Sequence, residues 1–487
     1  MTLAEKIRVE ARLEEIPYEP PVEFYERETE GGQHLGMLLE SRRRDLTYGT
    51  KAIAVTKPGL QFTGKGNNFE ITAFGAAAQR LLGTVAERIQ KLNGVAIHTI
   101  EDRVLGTVER RRLVLEEELR IRQAGLGGVL RQILSTFRVD DADAGLYGAF
   151  AYDYVRQGEN IGSRFSSGGG PDVNLLLPLE LVTFDEIKRT ATRKTYKFGN
   201  LEPETVASPI RFGEAKERLL DLNDGQYMEA VARIISEIAS GEMIQAVLSR
   251  TEGVRLREHP FSSYKRLATI NPSPYCFFYN MGDNETLFGA SPEVHVRIEN
   301  GKAELRPLAG TRRRKGNAVD DHFEKLALIT DPKERSEHVM LVDLARNDLS
   351  RVCYDVQVAR FMETVEFPNL YHIGSSVTGT LKRGMDALDA ILTTLPQGTL
   401  SGAPKVRAMR EIELLEGSRR GYYGGCVGMI AFNGDCNTAI TIRSVNTKDG
   451  YAYARAGAGV VLNSKPETEL AEVNLKNANQ LTALGGR

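Results

Sequence analysis

The stretch TDPKERSEHVMLVDLARNDLSR, residues 330–351, places Glu334 and Glu337 three apart at the head of an apolar run that reads as a helix. Three residues is most of a helical turn, so both carboxylates lie on one face, where like charges repel and call for a cation. The spacing recurs in SKPETELAEVNLKNANQ, with Glu469 and Glu472 three apart on a second predicted helix. Solvated helices often carry such pairs, and either one alone means little. Facing one another, the two pairs form an oxygen-only, strongly anionic site. That suits Mg²⁺, which takes one or two carboxylates, keeps waters and bridges to an anionic substrate. The surroundings are too poor in histidine for zinc, and His338 beside Glu337 reads as structural.

A second group is suited to holding an anion. QGTLSGAPK (397–405) is a Gly/Ser/Thr turn opening a helix near Pro404, where backbone amides and hydroxyls can hold a carboxylate or phosphate. The Walker spacing of a P-loop is absent. Arg443 in TAITIRS and the glycines of RAGAGVV offer a guanidinium fork and bare amides on neighbouring predicted strands. Taken alone, an arginine on a strand is more often half of a structural ion pair. With Mg²⁺, these groups suit a small substrate bearing more than one carboxylate. GGCVG (424–428) points elsewhere, to the G-x-C-x-G elbow of a glutaminase, but a cysteine nucleophile needs a histidine base. None of the seven histidines follows Cys426, so the motif is read as a tightly packed strand.

The elements that position these residues alternate along the chain. IGSRFSSGGGPD (161–172) reads as a surface loop. DGQYMEAVARIISEIASGE beyond it has Met228, Val231, Ile235 and Ile238 at helical spacing, with Gly241 to stop the helix. Strand-like runs follow: IQAVLSR, YCFFYNM, ETLFGAS, VHVRIEN and KAELRPLAG, then YGGCVGMIAFNG, NTAITIRSVNT and GYAYARAGAGVVLN near the end. Short links between neighbouring strands favour antiparallel pairing, because parallel pairs need long crossovers. The expected architecture is α+β.

Composition narrows the class. The 487 residues are 41% hydrophobic and 26% charged, as in an ordinary globular protein with a sizeable core. A net charge of −2 carries no nucleic-acid or anionic-membrane footprint. The charged opening MTLAEKIRVEARLEE has no apolar core of a signal peptide, and no apolar run is long enough to span a bilayer. Cys276, Cys353, Cys426 and Cys436 make no disulfide framework and no CxxC site, so a cytoplasmic location is expected.

The stretches GASPEVHV, RPLAGTRRRKG, DPKERSEHVMLVDLARNDLSRV, YHIGSSVTG, LPQGTLSGAPKVRAM, YYGGCVGM, TAITIRS and AGAGVVLNSKPETELAEVNLKNA together resemble the chorismate-utilising enzymes, the large subunit of anthranilate synthase in particular. They run in family order from about residue 225 onward, while the first half is similar more loosely, through MLLES and GLYGAFAYDYVR. The resemblance implies an anthranilate synthase-like fold of two antiparallel-sheet subdomains with helices outside. It also implies an N-terminal region over residues 1–170 with regulatory elements and a chorismate-binding catalytic region over 171–487. It makes Glu337 and Glu472 ligands of Mg²⁺, with Glu334 and Glu469 assisting through water, and the metal holding the ring carboxylate of chorismate. Glu293 aligns with the general acid that protonates the departing C4 hydroxyl. Ala309, Gly310, Thr311, Thr399, Tyr423, Arg443, Lys476 and the amides of Gly457, Ala458 and Gly459 align with positions around the substrate.

Two positions discriminate within the family. Members that add water carry a lysine base in the VxLSR strand; here Gln245 stands there, and an amide cannot deprotonate water, whereas unprotonated ammonia needs no base. Members that make 4-amino-4-deoxychorismate carry a lysine in PIKGT; here the motif is PLAGT, with Ala309. The resemblance therefore implies amination at C2 to 2-amino-2-deoxyisochorismate. His372, in the family's HI motif, favours a second step that releases pyruvate and gives anthranilate. An enzyme of secondary metabolism that stops at the amino intermediate shares every first-step residue. A non-catalytic, partner-binding remnant is disfavoured by the complete set Gln245, Glu293, Glu337, His372, Arg443 and Glu472. Ammonia is expected from a separate glutaminase subunit. Leu39, Glu40 and Ser41, with Asn271, Pro274, Tyr275 and Cys276, resemble a tryptophan-feedback pocket. Cys276 replaces the usual methionine there, and the element that follows LLES in relatives is missing.

Overall fold

The run VNLLLPLELVTFD explains how the molecule is organised. Nearly every residue of this strand, Val173–Asp185, is buried, as expected of a strand covered on both faces. In the computed structural model, which describes residues 6–42, 51–109, 125–165, 169–198, 203–212, 218–367 and 370–485, two sheets, joined through it into one continuous hydrogen-bonded ladder, grow outward from it. Its partner on one side, Lys51–Lys65, leads through Gly36–Glu40, Tyr275–Gly282, Glu285–Ser291, Ser444–Lys448 and Tyr451–Val460 to Gln245–Arg255. On the other side Gly145–Phe150 leads through Cys426–Ala431, Cys436–Ile440, Val294–Glu299 and Lys302–Leu305 to Leu370–Leu381, which pairs with Leu308–Arg313 and Cys353–Glu366. These pairings are all antiparallel; one parallel pairing, Ile7–Ile16 with Phe137–Val139, lies outside them. The architecture is α+β, as expected.

The chain passes between the two sheets at two neighbouring points. Glu293 lies where Glu285–Ser291 of one sheet gives way to Val294–Glu299 of the other, and Arg443 lies at the return from Cys436–Ile440 to Ser444–Lys448. The crossings bond to each other: the Ile440 amide donates to the Glu293 carbonyl at 3.0 Å, and the Ala290 amide to the Arg443 carbonyl at 3.1 Å. The run NTAITIRSVNT is therefore not one strand, as its alternation suggests, but two in different sheets. Arg443 at the break has φ +51°, a conformation that costs a non-glycine residue free energy and recurs at functional sites. KAELRPLAG divides as well, at Arg306 and Pro307, because proline has no amide for the ladder.

Each sheet carries one of the glutamate-bearing helices. Pro332–Ser350, N-capped by the Asp331 carboxylate, packs on Cys353–Glu366, Leu370–Leu381 and Leu308–Arg313. Pro466–Ala483 packs on Tyr451–Val460 and on helix Asp224–Ala239. Asp224–Ala239 begins with an Asn223/Gln226 capping box and buries Tyr227, Val231, Ile234 and Ile238, so its apolar stripe is rotated slightly from the expected one. Helix Ala318–Thr330 has no such stripe facing inward; Val319, Phe323 and Leu326 are exposed, which is why periodicity missed it. Among the described residues no helix is long and apolar enough to cross a membrane. All four cysteines are buried and free, and Cys426 lies inside a strand with its thiol pushed far up by burial, as its reading as a packed strand requires.

Candidate active site

A cavity of about 260 Å³ opens beside the crossings. Gln245, Glu293, Ala309, Gly310, Thr311, Glu337, His372, Thr399, Tyr423, Arg443, Gly457, Gly459 and Lys476 line it, residues drawn from both sheets and from both glutamate-bearing helices. Ala458 does not. Alternation along the strand turns its side chain to the opposite face, into the core with Val231 and Ile234. Glu334, Glu469 and Glu472 do not line the cavity.

Glu293 is 5% exposed, and burial raises its carboxyl to about 8, outweighing hydrogen bonds from the Thr399 hydroxyl and the Leu308 amide that favour the anion. Desolvation wins, so this carboxyl carries a proton at neutral pH. A proton on a buried acid that faces a cavity is what a general acid requires.

His372 approaches from the second sheet. Its Nδ1 is 2.7 Å from the Gly310 carbonyl and 3.2 Å from the Thr311 hydroxyl, and its ring stands edge-on to Phe367 at 5.0 Å. Gly310 has φ +62°, and a Cβ there would meet the Glu334 carboxylate at 2.8 Å, so both the backbone and the close approach favour glycine.

Arg443 supplies charge. Among the described residues its guanidinium makes no hydrogen bond or ion pair, and burial holds it below its ordinary pKa despite Tyr423 and Glu472 nearby. A desolvated, unpaired cation on a cavity wall favours an anionic ligand. Tyr423 reaches the same wall; a Cβ on Gly457 would stand 3.0 Å from its hydroxyl oxygen. Lys476 donates to the Gly457 carbonyl at 2.9 Å and pairs with Glu472 at 2.6 Å. At the strand end the Gln245 amide lies over Gly459, 2.9 Å from where a Cβ would be. The turn at Gly398–Leu400 contributes Thr399, while the start of helix Lys405–Leu415 is engaged elsewhere, with Lys405 paired to Asp348 at 2.6 Å.

The glutamate pairs sit on the two helices that supply Glu337 and Lys476 to the lining. Burial, then the neighbour's charge, raises Glu334 (from Glu337) above the usual carboxylate range, and Glu469 is raised by burial and by Glu472. Lys333, on the first helix, lies 3.7 Å from Glu337 and also pulls Glu469 back down, so charge on one helix is felt by the pair on the other. Among the described residues no three His, Cys, Asp or Glu side chains form a ready-made metal cage. The donors instead fit a hard cation that takes one or two carboxylates and completes its shell from water and substrate.

Comparison with known proteins decides the family. A family model of chorismate binding enzymes matches residues 88–482. The chain belongs to the chorismate binding enzyme family. Within it, the chain is 35% identical over 453 residues to an anthranilate synthase of Azospirillum brasilense, covering 90% of this chain and 62% of that protein. It is 38% identical to anthranilate synthase component 1 of Pseudomonas aeruginosa, over 69% of this chain and 74% of that one. The crystal structure of anthranilate synthase component I from Streptococcus pneumoniae superposes with a TM-score of 0.64 at 26% identity, over 89% and 92% of the two chains.

In this chorismate binding enzyme the cavity also has walls that motif reading passed over: Val247, Leu308, Leu341, Leu400 and Arg455. Arg455 stands two residues before Gly457 in RAGAG, and strand alternation could have placed it on the same face. A separate cavity of about 300 Å³ gathers Leu39, Glu40, Ser41, Pro274, Tyr275 and Cys276. Asn271 is absent from that lining; its amide donates to the Ala290 carbonyl at 3.1 Å. Glu40 is buried there, held by Tyr264 at 2.6 Å and Arg42 at 2.9 Å.

Proposed function

We propose that this chain aminates chorismate at C2 with ammonia and then eliminates pyruvate to give anthranilate. The observation that carries the reading is the pairing, in one cavity, of a protonated buried acid, Glu293, with an amide, Gln245, where a water-activating base would otherwise stand. Ammonia attacks C2, the ring double bond shifts, and the C4 hydroxyl leaves as water with the Glu293 proton. His372 then takes the C2 proton as the enolpyruvyl C–O bond breaks and pyruvate departs. Arg443, Tyr423 and the Gly457 and Gly459 amides hold carboxylate oxygen throughout.

Glu337 and Glu472 would hold Mg²⁺, with Glu334 and Glu469 behind them. The ion supplies charge neutralisation at the ring carboxylate. Ammonia would come from a separate glutaminase subunit, and the cavity around Glu40 and Cys276 would take a tryptophan-like feedback ligand.

The test is direct. Purified chain, chorismate, Mg²⁺ and ammonium salt at elevated pH are expected to yield anthranilate and pyruvate in equal amounts. Chorismate consumption without pyruvate would instead make the chain a 2-amino-2-deoxyisochorismate synthase.

A further inference from the structure

Behind Tyr423 lies a buried carboxylate, Glu416, that does not line the cavity yet holds several of its walls. It ends helix Lys405–Leu415 and is 2% exposed. The Ser249 amide and hydroxyl donate to it at 2.8 and 2.7 Å, Arg420 at 2.7 and 2.9 Å, and Arg455 at 2.6 Å. Those two guanidiniums keep it ionised, below its ordinary pKa in spite of burial.

We propose that Glu416 and Arg420 are positioning residues for the chorismate cavity, acting through Arg420's fork and Arg455. This rests on the reading of the cavity given above. Arg420 spends its other donors on two main-chain oxygens, those of Leu400 at 2.5 Å and Val247 at 2.6 Å. Leu400 follows Thr399, and Val247 stands two residues from Gln245 on the same strand face. The Arg420 and Arg455 guanidiniums lie 5.7 and 6.0 Å from the Tyr423 ring centre. Arg455 also bonds the Ser249 hydroxyl at 2.8 Å and sits two residues before Gly457. One carboxylate thus fixes the relative placement of the segments that carry Gln245, Thr399, Tyr423 and Gly457. Buried ion pairs are commonly replaceable by apolar residues without loss of stability, so stability alone gives weak reason for this one. Its planar, three-way geometry is one that lysine cannot copy. Arg455 also lies 3.8 Å from the Asp221 carboxylate, so two guanidiniums meet two carboxylates and the cluster holds geometry without an excess of charge.

The test measures kcat and KM for chorismate, with ammonium as nitrogen donor, beside the melting temperature. Arg420→Lys is expected to raise KM about ten-fold, equivalent to about 1.4 kcal/mol, with kcat per folded molecule changed less. Glu416→Gln combined with Arg420→Gln keeps the net charge but loses the fork, and is expected to keep the raised KM. Recovery of the wild-type KM in that double variant overturns the proposal, because the field alone would then suffice. Wild-type KM in a folded Arg420→Lys enzyme also overturns it. Should Arg420→Lys fail to fold, Ser249→Ala removes one tie to Glu416 and is expected to raise KM in the same direction; a lower melting temperature with KM unmoved counts against positioning. Failure of the unsubstituted enzyme to consume chorismate overturns the reading of the cavity instead.

Discussion

The Nδ1 atom of His372 lies 2.7 Å from the carbonyl oxygen of Gly310. A carbonyl can only accept, so in the neutral ring Nδ1 carries the proton and Nε2 keeps the lone pair. Gly310 is also the residue against which the Glu334 carboxylate packs, so the imidazole and one glutamate pair are referenced to the same backbone unit.

From that tautomer, His372→Ala is expected to slow pyruvate release by about a hundred-fold, a typical general-base contribution. Chorismate consumption should fall less, and the amino intermediate should accumulate. Chromatography of a quenched time course against a pyruvate assay checks it; equal loss in both steps would remove the histidine from the elimination.

Glu293 sets a pH signature. With its carboxyl raised to about 8 from an ordinary 4.5, the group is protonated and competent below about 8 and ionises above it. Turnover per unprotonated ammonia should therefore decline as pH rises through about 8. Because the folded state binds this proton more tightly, its share of stability is complete below 4.5 and is lost as pH rises through about 8. Glu293→Gln should lower turnover by about 10²- to 10⁴-fold. Any residual activity that kept the alkaline limb would assign the limb to another group.

Glu337→Gln and Glu472→Gln should each remove nearly all activity and raise the Mg²⁺ concentration needed for half-maximal rate, because each deletes a ligand charge. Melting curves should stay close to those of the parent, since neither side chain is buried in the core. Normal magnesium dependence in Glu472→Gln would dismiss that residue as a ligand.

Gln245→Lys introduces a candidate base at the mouth of its strand. Ammonia-driven turnover should drop, and isochorismate is the product to seek by mass spectrometry. An enzyme unchanged in rate and product would show that residue 245 lies away from the attacking nucleophile.

The glutamate pairs and the turn that carries Thr399 were legible from residue type and spacing, whereas Glu293 and His372 stood out only through the resemblance of GASPE and the HI motif; the structure brings Glu293, Thr399 and His372 into one cavity with Glu337. What the sequence concealed was nonlocal. In TAITIRSVNT the apolar positions shift parity between Ile442 and Val445, a break too slight to show that the chain changes sheet at Arg443 with a positive φ. Helix Ala318–Thr330 hid for the opposite reason, its apolar residues facing outward. Glu416 and Arg420, four apart, carry no local sign of burial, and only the fold reveals that they are almost fully buried.

The pairing of Gly36–Glu40 with Tyr275–Gly282, and of Gly145–Phe150 with Cys426–Ala431, stitches the first third of the chain into both catalytic sheets. A polypeptide severed near residue 170 would therefore remain one body, like a zipper cut in its tape but not in its teeth. Expressed apart, each fragment would present bare strand edges, which invite self-association. Co-expression of residues 1–170 with 171–487 is expected to restore soluble, active enzyme where neither piece alone does.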